Sequence, residues 1–182
     1  MVKVLGIDPG LRVTGYACIE SAGGGGAAGR VVGAGGAGGG SGAHRAGFGS
    51  ALVEAGVIRL SSKSSVADRL VELERDLAEI IERQRPAVVA VEKLYAHYAH
   101  PTTAIVMGHA RGVVLLQARR AGLGIVELGA TEVKKSLTGN GHASKSQMQD
   151  GVKSLLGLPR RPEPADVADA IAIALCAMRR WK

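Results

Sequence analysis

Residues 2–16 read VKVLGIDPGLRVTGY, and residues 87–92 read AVVAVE. In the first stretch an apolar run, 2–7, ends in Asp8-Pro9-Gly10, a strand delivered into a turn. Residues 13–19 (VTGYACI) can return as a second strand, and 52–60 supply a third, so the three form an antiparallel meander. The run 87–91 is short and unbroken, as suits a central strand buried on both faces. Between meander and run, Leu70, Leu73, Leu77, Ile80 and Ile81 recur at helical spacing after Ser64 and Ser65, and Pro86 ends that helix. Downstream, 101–121 reads as a helix closed by Gly122 and Gly124, 125–128 as a fifth strand, and 131–137, 144–156 and 164–180 as further helices. The expected fold is α/β: a mixed five-stranded sheet, an antiparallel meander plus two parallel strands, flanked by helices. A strand–helix–strand crossover sets the ends of the first and fourth strands side by side.

That juxtaposition matters because Asp8 ends the first strand and Glu92 ends the fourth. The last helix begins with Asp166 and Asp169, three apart and therefore on one face. The rest of it (Val167, Ala168, Ile171, Ala172, Leu175) is apolar enough to be largely buried. Taken singly, the acids have structural readings: Asp8 before Pro-Gly is a turn residue, and Asp166 complements a first-turn dipole. Together, four carboxylates converging without basic partners repel one another unless divalent cations hold them. Hard oxygen ligands of this kind suit Mg²⁺ or Mn²⁺. The set favours a two-metal phosphodiester site.

The charge map supports an anionic partner. Ten lysines and arginines face three acids within 93–161, which holds the whole of the net +7. A basic block in an otherwise neutral domain is the footprint of a polyanion. Aromatics are 3% of the chain, so the core is aliphatic and any solvent-facing ring is informative. Tyr95 lies in a segment crowded by Lys93, His97, Tyr98 and His100, which favours a solvent-facing loop over rim packing. His97, His100 and His109 lack the cysteines or spacing of a zinc site.

The length of 182 residues fits one domain, 1–182. Fourteen of the 27 glycines fall within 21–50, a stretch with no acids, read as a glycine-rich, flexible surface insert. Cys18 and Cys176 make no disulfide framework and suit a reducing cytosol. The N-terminal apolar run is too short and polar for a signal peptide, and no uncharged apolar run approaches the roughly 18 residues of a membrane span, so a cytoplasmic location is expected.

LGIDPGLRVTGY, VAVEKLY, GHARGVVL, VKKSLTGNGHASKSQM and PADVADAIAIAL, in that order, resemble the RuvC-type Holliday junction resolvases. The resemblance covers nearly the whole chain except 21–50. It implies the ribonuclease-H-like fold, a homodimer, and metal-dependent paired nicking of four-way DNA junctions in recombination and repair. It also implies the RuvA–RuvB branch-migration complex as partner. Asp8, Glu92, Asp166 and Asp169 match the family's catalytic, metal-holding acids. Tyr95 matches an exposed aromatic used against junction bases, and Lys134 and Lys145 match lysines that support cleavage from the DNA side. Arg111, in GHARGVVL, joins them as a DNA-contact candidate. The insert is untypical of the family, and His109 stands where many members have Gln. The chain also stops soon after the last helix.

The implied chemistry is hydrolysis around two Mg²⁺ ions, with Mn²⁺ able to substitute. Two other readings were weighed. A sugar-kinase or actin-like protein also opens with a strand and an Asp-Gly turn, but needs a second domain that 182 residues do not hold. A catalytically dead junction binder gains nothing from four acids facing DNA.

Overall fold

The computed structural model describes residues 1–21, 49–94 and 101–181, with backbone alone at 30–31, 45–46 and 101. Tyr95, His97, Tyr98, His100 and most of the glycine-rich stretch lie outside the described residues. The strands are β1 (Lys3–Asp8), β2 (Val13–Ser21), β3 (Arg30–Val31), β4 (Arg45–Ala46), β5 (Ser50–Arg59), β6 (Val88–Glu92) and β7 (Gly124–Leu128). The helices are α1 (Val66–Gln84), α2 (Pro101–Arg120), α3 (Ala130–Thr138), α4 (Lys145–Leu156) and α5 (Ala165–Arg180).

The five long strands are the five expected from the sequence, and they pair as expected. β1 and β2 are antiparallel, β2 and β5 antiparallel, and β1, β6 and β7 parallel. Within 21–50 two short pairings join the sheet: β3 and β4 pair with β5, parallel and antiparallel respectively. Two-residue pairings carry too little periodicity to be seen in glycine-rich sequence.

Local chemistry explains the helix limits. Ser65 caps α1 by accepting the Asp68 N–H at 3.1 Å, and Arg85 closes it in the left-handed region at φ 49°. α4 opens on a capping box between Ser144 and Gln147 and ends at Gly157. Among the described residues no helix is long and apolar enough to cross a membrane.

Helices cover both faces of the sheet. On one, Leu73, Leu77, Ile80 and Ile81 of α1 and Ala110, Val114 and Ala118 of α2 pack on Leu5, Ile7, Val89 and Val91. On the other, α5 lies over Val4, Ala17, Val88 and Ala90, with α3 and α4 outside it. α5 is buried from Val167 to Ala177 except at Asp169, as its apolar composition predicts.

Its seat is very close. A Cβ built on Gly6 would stand 2.4 Å from the Ala170 carbonyl oxygen and 2.6 Å from the Ala174 nitrogen. One on Gly15 would stand 2.1 Å from the Asp166 carbonyl oxygen. Backbone touches backbone there, and no side chain fits between.

Gly6→Ala is therefore expected to lift α5 and cost about 1–3 kcal/mol or more, the usual penalty of overpacking. Urea denaturation measures it. An unchanged midpoint would show that the helix has room to move.

Candidate active site

The site is built by the period of two along strands. In β1, Val4 faces the α5 side, Leu5 and Ile7 face the α1 side, and Gly6 lies under α5. Asp8 therefore leaves on the α5 side. In β6, Val88 and Ala90 face α5 while Val89 and Val91 face away, so Glu92 also leaves on the α5 side. The register pairs Ile7 with Val91, which sets Asp8 and Glu92 next to each other one step further on. α5 begins above them with Asp166 and Asp169.

The turn after Asp8 is fastened by a residue that sequence reasoning passed over. Thr14 is fully buried; its Oγ1 accepts the Gly10 N–H at 3.1 Å and donates to the Gly10 carbonyl at 2.6 Å. Arg69 of α1 adds a bond to the Leu11 carbonyl at 2.9 Å. A threonine four residues after a Pro-Gly pair was the available signal for the first; nothing local signalled the second.

The four carboxylates interact by charge. The Asp8 carboxyl is pushed up to about 7, first by burial, then by Asp169, Asp166 and Glu92, with Lys145 opposing. Glu92 is raised by burial and by Asp169, and Lys134 opposes. Asp169 is raised chiefly by burial, with Lys145 and Lys134 both pulling it back. Among the described residues none of the four accepts a hydrogen bond or sits within ion-pair distance of a cation. Partly buried carboxylates without cationic partners are the kind of oxygen donors that hard divalent cations take. As the side chains stand, no three His, Cys, Asp or Glu of the described residues close on a single point tightly enough to enclose an ion. The coupling among them is electrostatic.

Lys134, on α3, and Lys145, the first residue of α4, stand at the rim, and neither is ion-paired among the described residues. Arg111 does not join them. Its Nε donates to the Glu92 main-chain carbonyl at 3.1 Å, and its terminal nitrogen pairs with the Glu127 carboxylate. Two other members of the basic block are likewise engaged: Arg120 with Glu74 at 3.5 Å and Arg161 with Asp150 at 2.6 Å. The block is thus part solvent-facing charge and part internal ties.

Comparison with known proteins gives a consistent picture. Residues 32–177 match the family model described as crossover junction endodeoxyribonuclease RuvC. A protein of that name from Rhodopirellula baltica is 43% identical over 173 residues, covering 95% of this chain and 84% of its own. One from Caldicellulosiruptor saccharolyticus is 39% identical over 175 residues, covering 96% and 91%. Among solved structures, Thermus thermophilus RuvC superposes with a TM-score of 0.75 at 30% identity, covering 96% of this chain and 92% of that one. The same protein in complex with a Holliday junction substrate superposes at 0.77, also at 30% identity, covering 97% and 92%.

The raised carboxyl has a thermodynamic consequence. Between pH 3.8 and about 7 the folded protein holds a proton on Asp8 that the unfolded chain has lost, so stability falls as pH rises through that window. Glu92 and Asp169 act with the same sign. Asp8→Asn should flatten that fall and raise the melting temperature above pH 7 in divalent-free buffer. A wild-type melting temperature that climbs across the window would contradict the reading.

Proposed function

Because this chain belongs to the family of crossover junction endodeoxyribonucleases, RuvC, we propose that it is an endonuclease that resolves four-way DNA junctions by paired, symmetric phosphodiester cleavage in recombination and repair. One observation carries the reading to these residues. Asp8, Glu92, Asp166 and Asp169 gather at one end of the sheet, their carboxylates charge-coupled and accepting no hydrogen bond among the described residues.

These four would hold the divalent ions, two Mg²⁺ per site with Mn²⁺ able to substitute. Held by these residues, a divalent ion would supply Lewis-acid chemistry, making water more acidic and offsetting negative charge on the departing oxygen. The chain's own residues do the rest. Asp8 sits on a fastened turn and Glu92 on a central strand, so both carboxylates start from an ordered backbone. Asp166 and Asp169 are carried by a helix seated on the sheet backbone, so they share its rigidity. Lys134 and Lys145 bring positive charge to the rim, where a scissile phosphate would approach the acids. Tyr95, three residues after Glu92, is assigned to stacking on an unpaired junction base, a contact worth roughly 1–3 kcal/mol.

A four-way junction is itself close to two-fold symmetric, so two such sites related by a two-fold suit paired nicks. The surface that fits this pairing is on α2. Ile105 and Leu116 are 59% and 49% exposed, and they share an outward stripe with Gly112, whose added Cβ would meet nothing within 4 Å. Spacings of seven and four residues keep the three on one helix face. An apolar stripe with a gap at its centre suits close approach by the same helix of a second copy. The rest of the reading is one nuclease domain, 1–182, with 21–50 as a surface insert, in the cytoplasm, working with the RuvA–RuvB complex.

A synthetic four-way junction with Mg²⁺, set against linear duplex, tests the function. Wild type should nick the junction in pairs and spare the duplex. Asp8→Asn should bind the junction as well or better and not cut, since one anion facing DNA is gone; normal nicking by that variant would sink the assignment. Lys134→Ala and Lys145→Ala should each lower the salt slope of binding by roughly one counterion.

Leu116→Lys should convert a two-fold dimer to monomer in sedimentation experiments. A dimer that survives it would move the interface off α2.

A further inference from the structure

Arg111 is a basic residue of this region whose geometry differs from that of a DNA contact. Its side chain is 16% exposed, against 44% for its partner Glu127. It lies on α2 beside Ala110, which is fully buried under the helix. From there it reaches the ends of two neighbouring parallel strands: the Glu92 carbonyl closing β6 and the Glu127 carboxylate near the end of β7.

Those acceptors are arranged for a fork. The register sets Val91 opposite Glu127 and Glu92 opposite Leu128. Leu128 faces the α5-side core, so Glu127 projects from the opposite, α2 side. The Glu92 carbonyl belongs to the strand backbone, while the Glu92 carboxylate leaves toward α5. A planar guanidinium with Nε and a terminal nitrogen along one edge can satisfy two such acceptors together; a lysine ammonium cannot keep both in the same geometry. On the other side, the Lys93 N–H donates to the Leu128 carbonyl at 2.8 Å. The last peptide of β6 is therefore tied to β7 and to α2 just where a strand end would otherwise fray.

We propose that Arg111 is a positioning residue for the acidic site: by gripping the Glu92 carbonyl and the Glu127 carboxylate at once, it fixes the backbone from which the Glu92 carboxylate is presented beside Asp169. The proposal rests on the metal-dependent nuclease reading above. It assigns Arg111 away from the phosphate contact that its place in the basic block had suggested.

The test uses the full chain carrying Arg111→Gln, Arg111→Lys or Glu127→Gln, with two readouts. One is Mn²⁺ binding followed by electron paramagnetic resonance without DNA; the other is nicking of a synthetic four-way junction, with junction binding measured across a salt series. Arg111→Gln should raise the half-saturating Mn²⁺ concentration and slow nicking by about 10–100-fold, the usual cost of losing a residue that orients a metal ligand. Junction affinity and its salt slope should stay at wild type. Arg111→Lys should be nearly as impaired, since the fork is lost while the charge remains. Glu127→Gln should show a smaller loss, because the Glu92 bond survives.

Mn²⁺ binding and nicking within twofold of wild type for Arg111→Gln would overturn the proposal, as would a salt slope lowered by about one counterion, the mark of a phosphate contact. Should the arginine variants fail to fold, Glu127→Gln decides alone: unchanged Mn²⁺ binding in that variant refutes the grip. A wild type that binds Mn²⁺ but does not cut junctions would instead refute the nuclease reading, and the Mn²⁺ series would still decide the role of Arg111.

Discussion

The fold depends on the contact between the backbone of α5 and the backbone of β1 and β2. Gly6 and Gly15 leave no side chain where the helix crosses them, and the alanines of α5 (Ala168, Ala170, Ala174) leave almost none on their side. Close packing of this kind gains dispersion energy over many atom pairs and tolerates no insertion. It also fixes height. Asp166 and Asp169 stand on the first two turns of that helix, so their distance above Asp8 and Glu92 is set by two absent methyl groups. A larger residue at either glycine would move two acids relative to the other two.

Such rigidity answers an electrostatic problem. Carboxylates whose neighbours raise the proton affinity of Asp8, Glu92 and Asp169 do not assemble spontaneously, and no hydrogen bond among the described residues draws them together. The cost is met by the surrounding core. Val4, Ile7, Val88, Val91, Ile171 and Ile173 are all buried around the strand and helix segments that present the acids. Each such side chain contributes roughly 1.5–3 kcal/mol. Lys134 and Lys145 moderate the repulsion from the rim without pairing with any acid. They leave the acids open to a cation.

Much of this was legible in the sequence because it rests on periods and punctuation. The apolar runs and the crossover rule set the ends of β1 and β6, and with them Asp8 and Glu92, side by side. The apolar composition of 164–180 marked a buried helix whose two acids needed a purpose. Other features were not legible, each for a physical reason. The hydroxyl of Thr14 and the guanidinium of Arg69 act through main-chain carbonyls, which every residue carries and no sequence pattern flags. β3 and β4 are too short to show alternation. Arg111 looked like one cation among ten, because charge counting registers sign and ignores what a side chain reaches.

The last point bears on how α2 should be understood. Its hydropathy shows almost no sidedness, and its positions explain why. Ala110, Val114 and Ala118 face the sheet-side core, Arg111 reaches the strand ends, and Ile105, Gly112 and Leu116 face outward. A helix with apolar residues on more than one side presents more than one surface that can be covered. Here one side is the domain's own core. The outward side is the surface proposed for a second copy, and Arg111 lies immediately before Gly112 on that same helix. A residue that grips the end of β6 therefore shares a rigid element with the surface that would bring two sites into register. On these two proposals, the placement of Glu92 and the pairing of two copies would both follow from how one helix is seated.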